Sequence, residues 1–263
     1  MFIDSHCHLS FPELKSELPA ILAAMAAAQV VQAVCICTTM EEFEAVHGLA
    51  LAHPQLFASV GVHPDNEDVR EPSEDELVEL AARPRVVAIG ETGLDYYRLN
   101  GRSIADMEWQ RERFRTHIRA ARRARKPLVI HTRSSAADTL RVLVEEGGEQ
   151  AGGVFHCFTE ELAVARAAVD LGFYISFSGI VSFKNAADLR EVARALPLES
   201  LLIETDSPYL APVPYRGKLN RPDYVIHVAA AVAAARGLTV EQVAAQTAAN
   251  TRRLFGLPLP EAA

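Results

Sequence analysis

The 263-residue sequence is short of positive charge and of long apolar runs, and each shortage excludes a class of protein. Lys and Arg total 26 against 34 Asp and Glu, which gives a net charge of −8. Proteins that coat nucleic acid by charge alone are basic, so any contact with nucleic acid must depend on local groups. The longest apolar runs, 20–28 and 228–235, are far shorter than the ~20 residues of a membrane-spanning helix, so we expect no membrane partner.

Cysteine is also scarce, with Cys7, Cys35, Cys37 and Cys157 as the complete set. Their spacing is not that of a zinc finger, and so few cysteines indicate reduced thiols rather than a disulfide framework. The N-terminal Met-Phe-Ile-Asp lacks the basic segment of a signal peptide. We therefore expect a cytoplasmic protein. No linker, low-complexity segment or fixed-period repeat is visible, and we predict one domain over residues 1–263.

The sequence is rich in short apolar runs that alternate with amphipathic stretches. Eight runs are mostly continuous Val, Ile and Leu, which is typical of strands buried on both faces. These predicted strands are 2–4, 33–37, 56–60, 86–89, 128–130, 154–155, 173–175 and 201–203. Alternating β and α units imply a parallel sheet. Eight such units in about 250 residues predict the α/β class and a closed (β/α)8 TIM barrel.

Helical patterns follow each predicted strand. They cover 18–29, 41–53, 73–82, 106–125, 136–146, 160–171, 186–195 and 223–235. A further helix over 239–255 is an extra C-terminal helix that we expect to close one end of the barrel. Thr239 can cap this helix, with Gln242 at the capping-box position. An open doubly wound sheet is the competing architecture, but its glycine-rich phosphate-binding motif is missing after the first strand.

Side chains that can bind metal follow six of the eight predicted strands. His6 and His8 follow the first strand and share one face, because residues i and i+2 of a strand point the same way. The others are His63, Glu91, His131, His156 and Asp206. One histidine at a strand end is more often structural, but functional groups of a barrel gather at this edge. Convergent buried carboxylates and imidazoles need a cation to offset their desolvation, so the set indicates a metal site.

The number of ligands indicates two metals rather than one. The candidate metal ligands are His6, His8, Glu91, His131, His156 and Asp206. Six groups exceed one tetrahedral site but divide well between two ions about 3.5–4 Å apart, the usual spacing in a two-metal hydrolytic centre. Glu91, on a middle strand, is the natural bridge. Imidazole with carboxylate suits Zn, Mn, Fe or Co and suits Mg less readily, so we expect two divalent metal ions of this kind.

The motifs that carry these groups resemble those of a known family. They are His-Cys-His at 6–8, Gly-Glu-Thr-Gly-Leu-Asp-Tyr-Tyr at 90–97, His-Thr-Arg at 131–133, His-Cys-Phe at 156–158 and Glu-Thr-Asp-Ser-Pro-Tyr-Leu at 204–210. In this order they are similar to the TatD family of metal-dependent deoxyribonucleases, within the metal-dependent hydrolase superfamily of (β/α)8 barrels. The resemblance runs from residue 2 to about residue 255 and so covers almost the whole chain.

The resemblance implies how the metal ligands divide. His6, His8 and Asp206 would hold one ion, His131 and His156 the other, with Glu91 between them. Related barrel hydrolases often bridge the metals with a carboxylated lysine from strand four, whereas this strand end offers Glu91. The strand-three motif often has a second histidine after His-Pro, and this chain has Asp65 there.

The resemblance also implies a reaction, namely exonucleolytic hydrolysis of DNA by a water that two metals activate. Asp206 and Glu91 would be the catalytic residues, with Asp206 accepting the proton of that water. His63 and Arg133 are candidate contacts to phosphate or leaving group, and Arg216 and Lys218 lie on a basic loop that suits a single-stranded end.

Two acidic residues are candidate partners of the metal ligands. Asp95 could orient a ligating histidine. Glu204 shares strand phase with Asp206 and could order a ligand, bind a further cation or pair with a buried arginine. The arginine-rich stretch 111–126 could touch nucleic acid, but it is typical of an outer barrel helix with a solvated face.

Other functions stay open at this point. The same water would serve a barrel hydrolase that acts on an amide, a lactone or an aminoacyl ester. A non-catalytic metal-binding quality-control protein would keep the site for stability. The expected partner is DNA at single-stranded ends, with RNA as an alternative. The sequence does not fix the oligomeric state, and a monomer is consistent with it.

Overall fold

The computed structural model describes residues 1–259 and contains eight parallel strands in one sheet. The strands are β1 (Phe2–Cys7), β2 (Val30–Cys35), β3 (Leu56–Val60), β4 (Val86–Asp95), β5 (Leu128–Arg133), β6 (Gly153–Phe155), β7 (Tyr174–Phe177) and β8 (Leu201–Ile203). Their hydrogen-bonded order follows the chain from β1 to β8. A parallel bridge between Cys7 and Ser207 links the end of β8 back to β1. The sheet is therefore a nearly closed (β/α)8 barrel, which confirms the predicted fold class.

Helices follow the strands along the chain. They are α1 (Pro12–Lys15), α2 (Leu18–Ala27), α3 (Phe43–Ala52), α4 (Glu74–Ala81), α5 (Glu108–Ala124), α6 (Ala136–Glu145), α7 (Leu162–Asp170), α8 (Ala187–Ala195), α9 (Val225–Arg236) and α10 (Val240–Phe255). Every predicted helix is present with ends within two residues of the prediction. The short α1 is additional, because four residues are too few to show a periodic pattern.

The barrel interior is apolar at the end opposite the predicted ligands. Its buried residues are Ile3, Val34, Ile36, Phe57, Val87, Ala88, Val129, Val154 and Leu202, so seven strands contribute. Ala248 and Phe255 of α10 pack against this cluster and close that end of the barrel. The helix begins in a capping box, in which Thr239 Oγ1 accepts from Gln242 N and Gln242 Oε1 accepts from Thr239 N.

A larger apolar cluster lies between the outer faces of the strands and the surrounding helices. Among residues 1–259 no single helix has the length and apolarity of a membrane span. The segments Pro222–Arg236 and Val240–Phe255 reach that threshold only when counted together, and they are bent by 112° relative to each other.

The fourth strand is longer than predicted, and its glycines are the reason. The prediction stopped at residue 89, before Gly90, whereas β4 continues to Asp95 and pairs with β5 as far as Arg133. Gly93 has a φ of +133°, and a Cβ on it would lie 2.0 Å from the carbonyl oxygen of His131. These glycines therefore let two strands approach closely rather than ending one of them. Glu91 is consequently held inside a strand.

Candidate metal centre

Register shifts in two strand pairs, β1–β2 and β4–β5, lie where His6 and Glu91 reach the barrel mouth. The β1–β2 register shifts between Asp4 and Cys7, just where His6 lies. The β4–β5 register shifts between Ile89 and Thr92, and Glu91 N donates instead to Cys37 O at 2.9 Å. A bulge of this kind redirects a side chain and is common next to active sites.

Asp206 lies at the seam where the barrel closes. Its backbone N–H donates to His6 O at 3.0 Å, so the first and last strands fix it together. Its φ is +56°, in the left-handed region that short polar residues such as Asp tolerate. The carboxylate Oδ1 lies 3.6 Å from His6 Nε2 and 3.4 Å from His8 Nε2.

The carboxylate of Glu91 lies at the centre of the cluster, and its two oxygens face two different groups of histidines. Its Oε2 lies 3.3 Å from His6 Nε2 and 3.9 Å from His8 Nε2. Its Oε1 lies 3.3 Å from His63 Nε2, 3.2 Å from His131 Nδ1 and 2.8 Å from His156 Nε2. The structure thus brings together all six predicted metal ligands and His63, with histidines on both oxygens of the Glu91 carboxylate.

Three sets of ligand atoms are compact enough to hold a cation. They are His6 with His156 and Asp206, His6 with His8 and Glu91, and His63 with Glu91 and His131, and the ligand atoms of each set lie within 4.8 Å of one another. The imidazoles of His6 and His156 also stack, with centroids 3.8 Å apart. Glu91 belongs to two of the sets, so the arrangement can accommodate two neighbouring ions.

Hydrogen bonds on the far side of three imidazoles leave the inward nitrogen free to bind metal. His8 Nδ1 lies 3.3 Å from Ile36 O. Because a carbonyl oxygen can only accept, this nitrogen must be the donor. In the same way His131 Nε2 donates to Asp95 Oδ2 at 3.0 Å, and His156 Nδ1 donates to Glu204 Oε1 at 3.2 Å. Burial lowers the pKa of His131 and His156, but the carboxylates on either side of each ring outweigh burial and raise it. With a cation beside Glu91, the same outer partners would fix the neutral tautomer whose remaining nitrogen carries a lone pair toward that cation, and we assign the protons on that basis.

His63 has the opposite arrangement. Its Nδ1 accepts from the backbone N–H of Asp65 at 3.0 Å, so in the neutral ring the proton is on Nε2, the atom that faces Glu91. Although 20% of its side chain is exposed, burial lowers the pKa of His63 to about 3. His63 is therefore a neutral hydrogen-bond donor toward Glu91, whereas His8, His131 and His156 have their outer nitrogen in the donor role.

The charges and unpaired atoms of the cluster fit a bound cation. Burial raises the pKa of Glu91, but the surrounding histidines, His156 foremost, outweigh burial and hold that pKa well below its usual range. Among the described residues His6 Nδ1, His156 Nε2 and Glu204 Oε2 are buried without a hydrogen-bond partner. His156 Nε2 is near Glu91 Oε1 but at an angle that makes no hydrogen bond. A buried nitrogen in this state is better satisfied by a metal ion than by its protein neighbours.

The cluster forms the floor of a cavity of about 500 Å³ at the mouth of the barrel. Of the predicted substrate contacts, His63 and Arg133 line it, and the Arg133 guanidinium lies 3.7 Å over the ring of Tyr97. Arg216 and Lys218 are not among its lining residues. They instead approach the rings of Phe183 at 4.0 Å and Tyr215 at 5.6 Å.

Two aromatic residues of the wall, Phe11 and Tyr209, were not predicted from the sequence. Phe11 lies three residues beyond His8, and Tyr209 three beyond Asp206. Proximity in sequence to two ligands was the available signal for both. A single aromatic residue after a ligand motif is, however, equally typical of a core position.

Comparisons with known proteins place this geometry in a family. A family model described as "TatD related DNase" matches residues 3–256. The chain is 46% identical over 256 residues to the metal-dependent hydrolase YcfH of Escherichia coli K12, covering 96% of this chain and 95% of that protein. It is 34% identical over 231 residues, 86% of each chain, to a Citrobacter rodentium protein named "3'-5' ssDNA/RNA exonuclease TatD". The crystal structure of YJJV, a TatD homologue from Escherichia coli K12, superposes with a TM-score of 0.90 at 31% identity and 98% coverage of both chains.

Proposed function

The chain belongs to the TatD family of metal-dependent hydrolases, as its motifs predicted, and from this premise we propose that it is a deoxyribonuclease that removes nucleotides from single-stranded ends. The two-metal part of the proposal rests on the two oxygens of the Glu91 carboxylate, which face different histidines. One carboxylate oxygen faces His6 and His8, and the other faces His131 and His156. A carboxylate that must serve two ligand groups from opposite oxygens is the usual bridge of a two-metal site.

We propose that the six residues divide as follows. His6, His8 and Asp206 hold the first cation, His131 and His156 hold the second, and Glu91 bridges them, which agrees with the distances from Asp206 and Glu91 to these rings. When bound, two divalent ions would lower the pKa of a water between them and offset charge on the phosphate under attack. Zn, Mn, Fe or Co suits this mixture of imidazole and carboxylate better than Mg does.

The chain's own groups have separate roles around that centre. Asp206 is the proposed general base, because its carboxylate is 14% exposed at the cavity floor and borders the first ligand group. Glu91 is the second proposed catalytic residue, because its bridging carboxylate would fix the spacing between the two cations. Asp95 and Glu204 orient His131 and His156 through the hydrogen bonds described above.

His63 and Arg133 are the proposed contacts to the phosphodiester. The neutral His63 presents an N–H to the cavity floor and can donate it to a phosphate or leaving-group oxygen. Arg133 is exposed at the rim, and its planar guanidinium can bind a phosphate through two nitrogens. Arg216 and Lys218 lie outside the cavity lining, so their proposed contact is with a more distant part of the strand.

We further propose that the substrate end is a 3′ end, and that RNA is a second substrate. Both follow from the name of the Citrobacter rodentium relative, with which this chain shares 34% identity. The four free thiols, Cys7, Cys35, Cys37 and Cys157, are compatible with the proposed cytoplasmic location.

The test is an exonuclease assay on 5′-labelled single-stranded DNA, with Zn, Mn, Co and Mg supplied separately. We expect a ladder of products that shortens from the 3′ end and disappears in EDTA. Asp206→Asn keeps the size of the side chain and tolerates the left-handed backbone, and it should lower the rate by at least about 100-fold through loss of the base.

Asp170→Asn, at an exposed position on α7, is the matched control and should retain the parent rate. The same proteins are assayed on a panel of lactones, amides and aminoacyl esters. Turnover of that panel without DNA cleavage would replace the nuclease proposal by the ester-hydrolase alternative. No turnover on either panel with any metal would favour the non-catalytic one.

A further inference from the structure

A pair of aromatic rings continues directly from the metal centre to the rim of the cavity. The ring of Phe11 stacks on the imidazole of His8, with centroids 4.7 Å apart and planes 20° from parallel. The ring of Tyr209 follows, with its centroid 6.3 Å from that of Phe11 and its plane at 72°. Both side chains line the cavity. The floor of the cavity is therefore polar, while the wall next to His8 is aromatic.

The position of Tyr209 is fixed although its side chain is 54% exposed. Its backbone N–H donates to Asp206 O at 3.0 Å, and its carbonyl accepts from Asn220 Nδ2 at 2.6 Å. Asn220 is fully buried, and the same amide donates to Thr205 O at 2.8 Å. A large ring on a rigid backbone, facing the cavity rather than the core, loses apolar burial that the core would provide.

We propose that Phe11 and Tyr209 form a base-stacking subsite for the nucleotide next to the bond that is cleaved. This inference rests on the proposed nuclease function and names the part of the substrate that the wall recognises. A nucleotide joins an anionic phosphate to a flat base, and the cavity offers a cation site and an aromatic wall in immediate succession. Base stacking on aromatic side chains is worth ~1–3 kcal/mol per base.

The opposite wall gives the strand a direction across the cavity. Arg133, at the end of β5, lies on the side of the cavity away from β1 and β8, with its guanidinium over Tyr97. The terminal base stacks beside His8, its phosphate lies at the metal centre, and the next phosphate meets Arg133. Stacking uses the face of a base rather than its edge, so this subsite accepts any base and discriminates against a missing one.

The test is a binding titration with a single-stranded oligonucleotide that carries 2-aminopurine at its 3′ terminus and a phosphorothioate in the last linkage to slow hydrolysis. Stacking quenches 2-aminopurine fluorescence, so binding and stacking are read together without turnover. We expect the parent protein and Tyr209→Phe, which keeps the ring, to quench the probe. Tyr209→Ala should bind it roughly 10-fold more weakly, with most of the quench lost.

Val144→Ala is the control, because Val144 is 60% exposed on α6 and should affect neither value. A second probe carries 2-aminopurine eight nucleotides from the 3′ end, outside the proposed subsite. Its fluorescence should not depend on Tyr209. Equal quenching of the terminal probe by Tyr209→Ala and the parent protein would overturn the inference.

Cleavage separates this inference from the proposed function. The parent protein should remove a normal 3′ nucleotide several-fold faster than an abasic one, and Tyr209→Ala should lose that preference. Tyr209-dependent quenching without any DNA cleavage would support the subsite and contradict the nuclease function. Equal rates of cleavage for the normal and the abasic 3′ nucleotide, without an effect of Tyr209→Ala, would support the nuclease function and contradict the subsite.

Discussion

At the scale of single residues, the far nitrogen of each imidazole decides the role of that histidine. His131 and His156 give their outer N–H to Asp95 and Glu204, so each would present a lone pair to a cation bound in the cluster. His63 receives an N–H from Asp65 on its outer nitrogen, so it presents a proton. Side chains at similar distances from Glu91 are therefore not equivalent as ligands.

This difference predicts the metal content of two variants. His131→Ala should bind one ion per chain, because the second ion loses a ligand, whereas His63→Ala should bind two. Both variants should lose activity on DNA, since His63 is a proposed substrate contact. The measurement is metal analysis by mass spectrometry after dialysis against Zn or Mn. Loss of an ion in His63→Ala with full retention in His131→Ala would reverse the assignment.

The sequence could predict that these side chains lie together, but not these distinctions. Each of His6, Glu91, His131, His156 and Asp206 follows an apolar run, and a barrel collects strand ends at one edge, so pattern alone places them together. The proton on His63 depends on the loop conformation at Asp65, and no pattern encodes it. The aromatic wall was missed because a ring beside a ligand motif is as typical of core as of substrate binding.

At the scale of elements, the pairing of β4 with β5 sets the position of Glu91. The strand passes so close to β5 that only glycine fits at two of its positions, Gly90 and Gly93. The apolar run that predicts this strand ends at residue 89, before Gly90, and glycine usually weakens a strand. Close backbone approach is a tertiary property, and it extended β4 by six residues beyond the prediction.

Gly93→Ala should therefore destabilise the fold by about 3 kcal/mol, because its Cβ would meet the carbonyl oxygen of His131 at 2.0 Å. Gly101→Ala is the matched control, since its φ is also positive, at +83°, but a Cβ there meets nothing within 4 Å. Gly101→Ala should lose only about 1 kcal/mol of unfolding free energy, from the strained backbone. Urea unfolding of both variants measures the difference, and equal losses would contradict the close-packing argument.

Helix α5 holds the loop that carries His63. His117 Nδ1 donates to Arg113 O at 2.8 Å and its Nε2 accepts from Val62 N at 3.0 Å, which requires a neutral ring. The guanidinium of Arg113 in turn donates to His63 O at 2.8 Å. Burial lowers the pKa of His117 from 6.5 to about 4. The unfolded chain therefore binds a proton between these pH values while the folded chain does not.

Stability should accordingly fall as the pH drops from 6.5 toward 4, by about 3 kcal/mol from this residue. His117→Gln can keep both hydrogen bonds without titrating. Its unfolding free energy should therefore fall by about 3 kcal/mol less than that of the parent protein over the same pH range. His53→Gln, at a partly exposed position after α3, is the control and should follow the parent protein. Urea unfolding at a series of pH values gives the comparison. Parallel curves for the parent protein and His117→Gln would exclude the buried neutral ring.

At the scale of the whole molecule, the metal centre lies across the seam that closes the barrel. Its proposed ligands come from β1, β4 and β5 and from the segments that follow β1, β6 and β8, so the ions would bind the folded chain and not the unfolded one. Asp206 N–H and His6 O already join the two edges. The eight-strand order was predictable from the alternating pattern, but the seam itself depends on contacts some 200 residues apart in sequence.

Metal removal should therefore lower the stability of the entire barrel. At an ion concentration 100 times its Kd, each site contributes about 2.7 kcal/mol. For a chain of this size that corresponds to a fall in Tm of roughly 5–10 °C per site in EDTA. Differential scanning calorimetry with and without EDTA measures it, with Asp206→Ala as a variant whose shift should be about half as large. An unchanged Tm would mean that the described cluster does not bind metal in the folded protein.

The proposed mechanism depends on two cations that share the carboxylate of Glu91. Anomalous scattering from crystals grown with Zn or Mn measures it most directly. We predict two peaks per chain, about 3.5–4 Å apart, with Glu91 between them, His6, His8 and Asp206 around one, and His131 and His156 around the other. A single peak, or two peaks that do not share Glu91, would exclude a bridged pair of cations.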